Sequence, residues 1–167
     1  MPKYLIVGPK FDSATEVSYE WVTELIKQMK AQPGLELTFG ENITTLLDKD
    51  ATLDKFNSNL DDNDVVIFFD HGDEKTLYGQ NAEKVVTSSN VEALKGKKVY
   101  TMACLSAKEL GRVAFEKGAI EYWGATEPIG FTLGDKQLFG EVFVKGAIDR
   151  YINGKSVTEV YESMKAH

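Results

Sequence analysis

Asp64-Val-Val-Ile-Phe-Phe-Asp70-His71-Gly72-Asp73 and, further along, Lys98-Val-Tyr-Thr-Met-Ala-Cys104-Leu-Ser106 decide the fold of this chain. Each opens with an apolar run that lacks strict polar alternation, the mark of a strand covered on both faces. Helical patterns lie on either side of the pair, which predicts βαβ units and a parallel sheet. Parallel strands all point one way, and ligand sites form at their carboxyl ends. If the two strands are neighbours, His71 and Cys104 emerge together on one edge of the sheet.

A thiol nucleophile with a base beside it requires that arrangement. Ser106-Ala-Lys-Glu109 reads as a capping box, so a helix is expected to start at Ser106. Cys104 would then sit just before the positive end of a helix dipole, which favours thiolate. His71 is the candidate to take and return the proton. The Gly72 and Cys104 amides are the candidate donors to a developing oxyanion, Gly72 because it has no side chain to keep a substrate away. Asp70 and Asp73 flank His71, and either could orient it, but loop capping or solvated charge is the expected role of both. A lone cysteine is most often a small buried hydrophobe; its place at a strand end raises Cys104 above that. His167 is terminal and expected to be inert.

Working outward, residues 3–7 read as a central first strand, followed by a loop, Gly8-Pro9-Lys10-Phe11-Asp12, at the carboxyl edge. Ser13-Ala-Thr-Glu16 reads as a capping box. The helix behind it carries Val17, Trp21, Val22, Leu25, Ile26 and Met29 on one face and ends at Pro33-Gly34. Residues 35–39 alternate and predict a second strand near an edge, with residues 40–50 as loop. Leu53, Phe56 and Leu60 predict a short helix, and Asp61-Asp-Asn-Asp64 an acidic turn. Residues 73–89 suit a loop over the site, with a small hairpin near Leu77-Tyr-Gly79 and Lys84-Val-Val86. A short helix over residues 91–94, a helix over residues 107–117 stopped by Gly118, and a strand over residues 119–125 follow. The loop from Glu127 to Asp135 is of a kind that shapes pockets. An amphipathic helix over residues 138–152 and a last helix opened by Ser156-Val-Thr-Glu159 complete a single α/β domain over residues 1–167. Its expected form is three layers, α/β/α, around a mostly parallel sheet of about five strands.

Composition sets bounds. The 167 residues, 43% hydrophobic and 27% charged, suit one globular domain with a full core. A net charge of −7 argues against nucleic acid or an anionic membrane as main partner. No stretch approaches the ~20 apolar residues of a membrane span. The amino terminus runs directly into a strand with no signal-peptide pattern, and a single cysteine suits a reducing cytoplasm.

An apolar strand ending Phe69-Asp-His71-Gly72, then one ending Met102-Ala-Cys104-Leu-Ser106, resembles the caspase-like superfamily of cysteine peptidases, which includes caspases, gingipains, legumains, separases and CHAT-type peptidases. Gly118-Ala119 before a strand ending Trp123-Gly124-Ala125, then a long helix and Gly154-Lys-Ser156, places the likeness nearer the gingipain and CHAT-type branch. It covers roughly residues 60 to 166. The glutamine that caspases carry before Ala-Cys is Met102 here, and the metacaspase acid at that place is also absent. The resemblance implies a caspase-like, flavodoxin-like fold and cleavage of a peptide or protein substrate by Cys104 and His71. Relatives select a charged residue with an opposite charge, so Asp12, Asp73, Glu127 and Asp135 are the expected substrate-binding acids, giving cleavage after Arg or Lys. An apolar pocket of Trp123, Phe131 and Leu133 is the alternative. No cofactor is expected and no metal ligand set is assigned; calcium, which some members bind, has the acidic turn as its candidate. A homo-oligomer or an activating partner is compatible with so small a chain. Two other classes remain: a catalytically silent caspase-like interaction domain, and a receiver- or flavodoxin-type binding module. The latter lacks G-x-G-x-x-G and G-x-x-x-x-G-K-[ST], and it lacks the acids and lysine that receivers need after their first and fifth strands.

Overall fold

The structure is a computed structural model that describes residues 1–38, 40–132 and 134–167; Phe39, the end of the strand expected over residues 35–39, and Leu133, one of the apolar pocket candidates, lie outside the described residues. Five strands form an all-parallel sheet: β1 (Tyr4–Gly8), β2 (Ile43–Leu47), β3 (Val65–Phe69), β6 (Lys98–Met102) and β7 (Glu121–Trp123). Their spatial order is β2-β1-β3-β6-β7. A separate antiparallel hairpin, β4 (Leu77–Tyr78) with β5 (Lys84–Val86), follows β3, as the Tyr-Gly turn predicts.

The sheet is covered on both faces. On one lie α1 (Ser13–Lys30) and α4 (Lys136–Ala147), with α5 (Val157–Ala166) packed on α4. Trp21, Val22, Leu25 and Met29 there meet Ile6, Ile67, Phe69 and Tyr100. On the other lie α2 (Leu53–Leu60), α3 (Leu110–Glu116) and the hairpin, around Val66, Phe68, Val99 and Ala103. Alternate residues of β3 feed opposite cores, which is why its sequence is apolar throughout and every residue is buried. The expected α/β/α layering of about five strands is what the chain adopts. No helix among the described residues is long and apolar enough to cross a membrane.

The second strand is not where alternation puts it. Residues 35–38 do not pair; Leu37 is buried, while Thr38 to Ile43 close a turn in which the Ile43 N–H donates to the Thr38 carbonyl at 3.2 Å. The edge strand is Ile43–Leu47, matched Tyr4 to Ile43 through Gly8 to Leu47. Its β-branched Ile43, Thr44 and Thr45 suit the half-covered edge position better than a period-two pattern does. The long helix expected over residues 138–152 is α4 followed by a π-helical turn, Ile148–Ile152. In the acidic turn the Lys97 ammonium donates to the carbonyls of Asp61 (3.3 Å) and Asn63 (2.6 Å).

The strand order fixes where a site can form. From β1 the chain steps outward to β2, then returns to β3 and continues the other way to β6 and β7. The carboxyl ends of β1 and β3 therefore flank the point where the winding reverses, and a crevice opens there.

Candidate functional site

Two loops meet in that crevice. The β1–α1 loop brings Asp12, and the residues after β3 bring His71. The His71 Nε2 lies 2.7 Å from Asp12 Oδ2. Asp12 is also the N-cap of α1: its Oδ1 accepts the Thr15 N–H at 2.9 Å and the Thr15 hydroxyl at 2.8 Å, while Thr15 Oγ1 accepts the N–H groups of Phe11 and Asp12. The cap is thus Asp12 with Thr15, one residue ahead of the box read from Ser13 and Glu16. Burial pushes the Asp12 carboxyl up, but the Thr15 amide and hydroxyl and then His71 outweigh it and hold it below the ordinary aspartate value. Phe11 packs edge-on against the imidazole, with ring centres 5.8 Å apart. Gln80 fixes the loop from the other side, accepting from the Lys10 N–H and donating to the Lys10 carbonyl, both at 2.8 Å.

The partner strand behaves as expected in place and differently in detail. β3 and β6 are neighbours in register, Phe69 opposite Met102, so His71 and Cys104 leave the same edge two residues beyond the pairing. Gly72 packs on the cysteine segment: a Cβ there would meet Ala103 Cβ at 2.8 Å and the Cys104 carbonyl at 2.9 Å. Any side chain at Gly72 would push the His71 loop off the cysteine. Neither the Gly72 nor the Cys104 amide is taken by an acceptor among the described residues.

No helix begins at Ser106. Residues 104–109 form turns, and α3 starts at Leu110. The Ser106 hydroxyl points inward, bonding Thr101 Oγ1 at 2.7 Å and the Ala103 carbonyl at 3.0 Å, and so cannot cap. Gly124 permits this, since a Cβ there would sit 2.6 Å from Ser106 Oγ. The helix dipole invoked for Cys104 is therefore displaced from it. Two other features take its place. Leu105 has a φ of 58°, a conformation that costs an L-residue roughly 1–2 kcal/mol, and this sharp turn presents Cys104 at the edge. The Ile129 N–H donates to Cys104 Sγ at 3.2 Å.

His71 and Cys104 line one cavity of about 100 Å³. Ala14, Thr15 and Ser18 of α1 line it together with Met102, Ile129, Phe131 and the buried acid Asp70. A larger groove of about 660 Å³ runs between α1 and α4, but it is lined by surface residues such as Glu20, Glu24 and Lys136 and contains neither His71 nor Cys104. The smaller cavity is the one that His71 and Cys104 share.

The four acids expected to bind substrate do not converge there. Asp12 is committed to His71. Asp73 accepts from the Lys75 N–H and the Tyr78 hydroxyl; burial pushes it up, and these bonds outweigh that and hold it low. Asp135 accepts from the Thr132 N–H in the turn before α4. Glu127 is exposed, and its carbonyl accepts from the Leu105 N–H. Trp123 packs against Tyr100, inside the sheet, while Phe131 does reach the cavity. Thr15, Phe11, Gln80 and Ile129 were not among the expected site residues. Only Thr15 left a trace, since Asp12-x-x-Thr15 is itself a cap pattern. Among the described residues no cluster of three or more His, Cys, Asp or Glu could hold a metal ion.

Asp70, between Phe69 and His71, is buried, and neither carboxyl oxygen has a hydrogen-bond partner among the described residues. Burial pushes its pKa well up, favouring the neutral acid. No protein family model, curated protein or solved structure matches this chain.

Two outcomes follow from these contacts. Asp12→Asn keeps a good cap but loses the charge beside His71, so the melting temperature should stay near wild type while Cys104 alkylation slows; Asp12→Ala should also lose about 1 kcal/mol of stability to denaturant. Asp70 has a raised folded pKa, so its contribution is fully present below the unfolded carboxyl pKa and is lost as pH rises through the folded one. Asp70→Asn should therefore gain on wild type with rising pH across that window, by up to about 1.4 kcal/mol per pH unit in urea unfolding. A constant difference would mean that Asp70 is ionised in the fold.

Proposed function

We propose that the chain is a cysteine peptidase of the caspase-like superfamily, with Cys104 as nucleophile, His71 as general base and acid, and Asp12 as the residue that positions His71. One observation carries the reading: the chain's only cysteine lines the same cavity as a histidine that a carboxylate holds at 2.7 Å. Two loops from opposite sides of the winding reversal are needed to assemble it, and burying a core explains none of these contacts.

In the proposed reaction Cys104 Sγ attacks the scissile carbonyl carbon and its proton passes to His71. The carbonyl oxygen becomes an oxyanion facing the unengaged Gly72 and Cys104 amides. The C–N bond breaks as His71 gives its proton to the leaving amine, and the acyl group stays on sulfur as a thioester. Water, deprotonated by His71, then attacks the thioester; the C–S bond breaks and the thiol is restored. Asp12 keeps the imidazole oriented through both steps. One free thiol at such a site suits a reducing compartment such as the cytoplasm.

The receiver-type alternative needs an accessible acceptor carboxylate at the end of β3, and the residue there, Asp70, is buried with its oxygens closed off. A silent interaction domain has two contacts in its favour: the Ile129 N–H donates to Cys104 Sγ at 3.2 Å, and the thiol donates to the Ile129 carbonyl at 3.7 Å. The two readings separate on reactivity. Iodoacetamide at mildly acidic pH should alkylate Cys104 faster than it alkylates a small-molecule thiol, and His71→Ala should slow the reaction by about tenfold or more without loss of fold. Equal rates for wild type, variant and free thiol would remove the peptidase reading.

A further inference from the structure

The cavity beside Cys104 has a size and a lining that speak to substrate. Its volume of about 100 Å³ is roughly two-thirds of the ~150 Å³ cavity that takes one benzene. A side chain of about three or four heavy atoms fills that space; a guanidinium on its three-carbon stem, or a phenyl ring, exceeds it.

Apart from His71, which Asp12 engages, and Asp70, whose carboxyl oxygens are buried and whose neutral form burial favours, the lining residues are uncharged. Thr15 and Ser18 are buried, and their hydroxyls are already spent, Thr15 on Asp12 and Ser18 on the Thr15 carbonyl. What they present to the cavity is short and uncharged. Met102 closes the floor in the place where the family's caspases carry glutamine. Phe131 closes the outer side and is braced edge-on against Trp21 at 5.1 Å. Asp70 is the nearest carboxyl, but its oxygens are sealed into the wall.

We infer that this cavity receives the side chain on the acyl side of the cleaved bond and selects a small uncharged residue, Ala, Ser, Thr or Val, over Arg, Lys and large aromatic residues. This rests on the peptidase reading and replaces the Arg or Lys preference expected from the loop acids. A misfit of one or two groups in a pocket changes rates by about tenfold to two-hundredfold, so the selection should be measurable.

Peptidyl acyloxymethyl ketones that differ only in the residue next to the electrophile (Ala, Thr, Leu, Phe, Arg) provide the test, read by intact-protein mass spectrometry against iodoacetamide as a side-chain-independent control. The Ala and Thr probes should label Cys104 at least about tenfold faster than the Phe and Arg probes. Phe131→Ala, which opens the outer wall from an exposed loop, should extend labelling to Leu and Phe. Wild-type labelling by the Arg or Phe probe as fast as by Ala overturns the small-residue cavity and leaves the peptidase reading intact. Reaction with iodoacetamide but with none of the peptidyl probes overturns the peptidase reading and the selectivity with it.

Discussion

The Asp12 carboxylate joins two things that are separate in sequence. One oxygen caps the first turn of α1 through Thr15, and the other holds the His71 imidazole. Because α1 packs across β1 and β3, its start is fixed relative to the sheet, and Asp12 passes that fixed position on to a side chain in a loop. His71 is about two-fifths exposed and would otherwise choose among rotamers. The same constraint shapes the cavity, since the first two turns of α1 provide the wall that faces Cys104. A chain wound in this strand order has one crevice at the reversal of its winding, and here Asp12 and His71 meet across it.

The cysteine side is held by different means. A strained backbone at Leu105, an inward-turned Ser106 and the close approach of Gly72 to Ala103 and Cys104 set the thiol at the edge. Backbone bonds tie this turn to its surroundings: Ala107 donates to Ala125 and Leu110 to Glu74. The turn that carries Cys104 is thus braced by the segment after β7 and by the loop after His71. Asp70 adds an unusual element, a buried acid without hydrogen-bond partners among the described residues, one residue from His71. Burial of such a group favours its neutral form.

Much of this was legible in the sequence because the relevant signals are local. β3 and β6 announce themselves by unbroken apolar runs, and the hairpin and the Ser156 cap by turn and capping chemistry. His71 and Cys104 follow from the strand ends alone. The failures share a physical cause: a local pattern was outbid by a distant partner. Ser106 and Glu109 have the spacing of a capping box, but the Thr101 hydroxyl, five residues back, claims Ser106. Residues 35–38 alternate as a strand should, but only one segment can occupy the edge beside β1, and Ile43–Leu47 holds it. Asp12 was read as a pocket acid because its side chain lies at the right edge; that it points at His71 depends on the angle of α1, which no short stretch encodes. Cavity size is likewise a sum over α1, β6 and the loop before α4.

The central claim is that Cys104 and His71 act on one acyl group in succession. Intact-protein mass spectrometry with peptide mapping, after mixing with an activated ester of an N-acylated small amino acid, tests it most directly. The account predicts a single acyl group on Cys104 that forms and then clears in the wild type, and that forms slowly and persists in His71→Ala. No adduct on Cys104, or an adduct whose clearance is unchanged without His71, would contradict it.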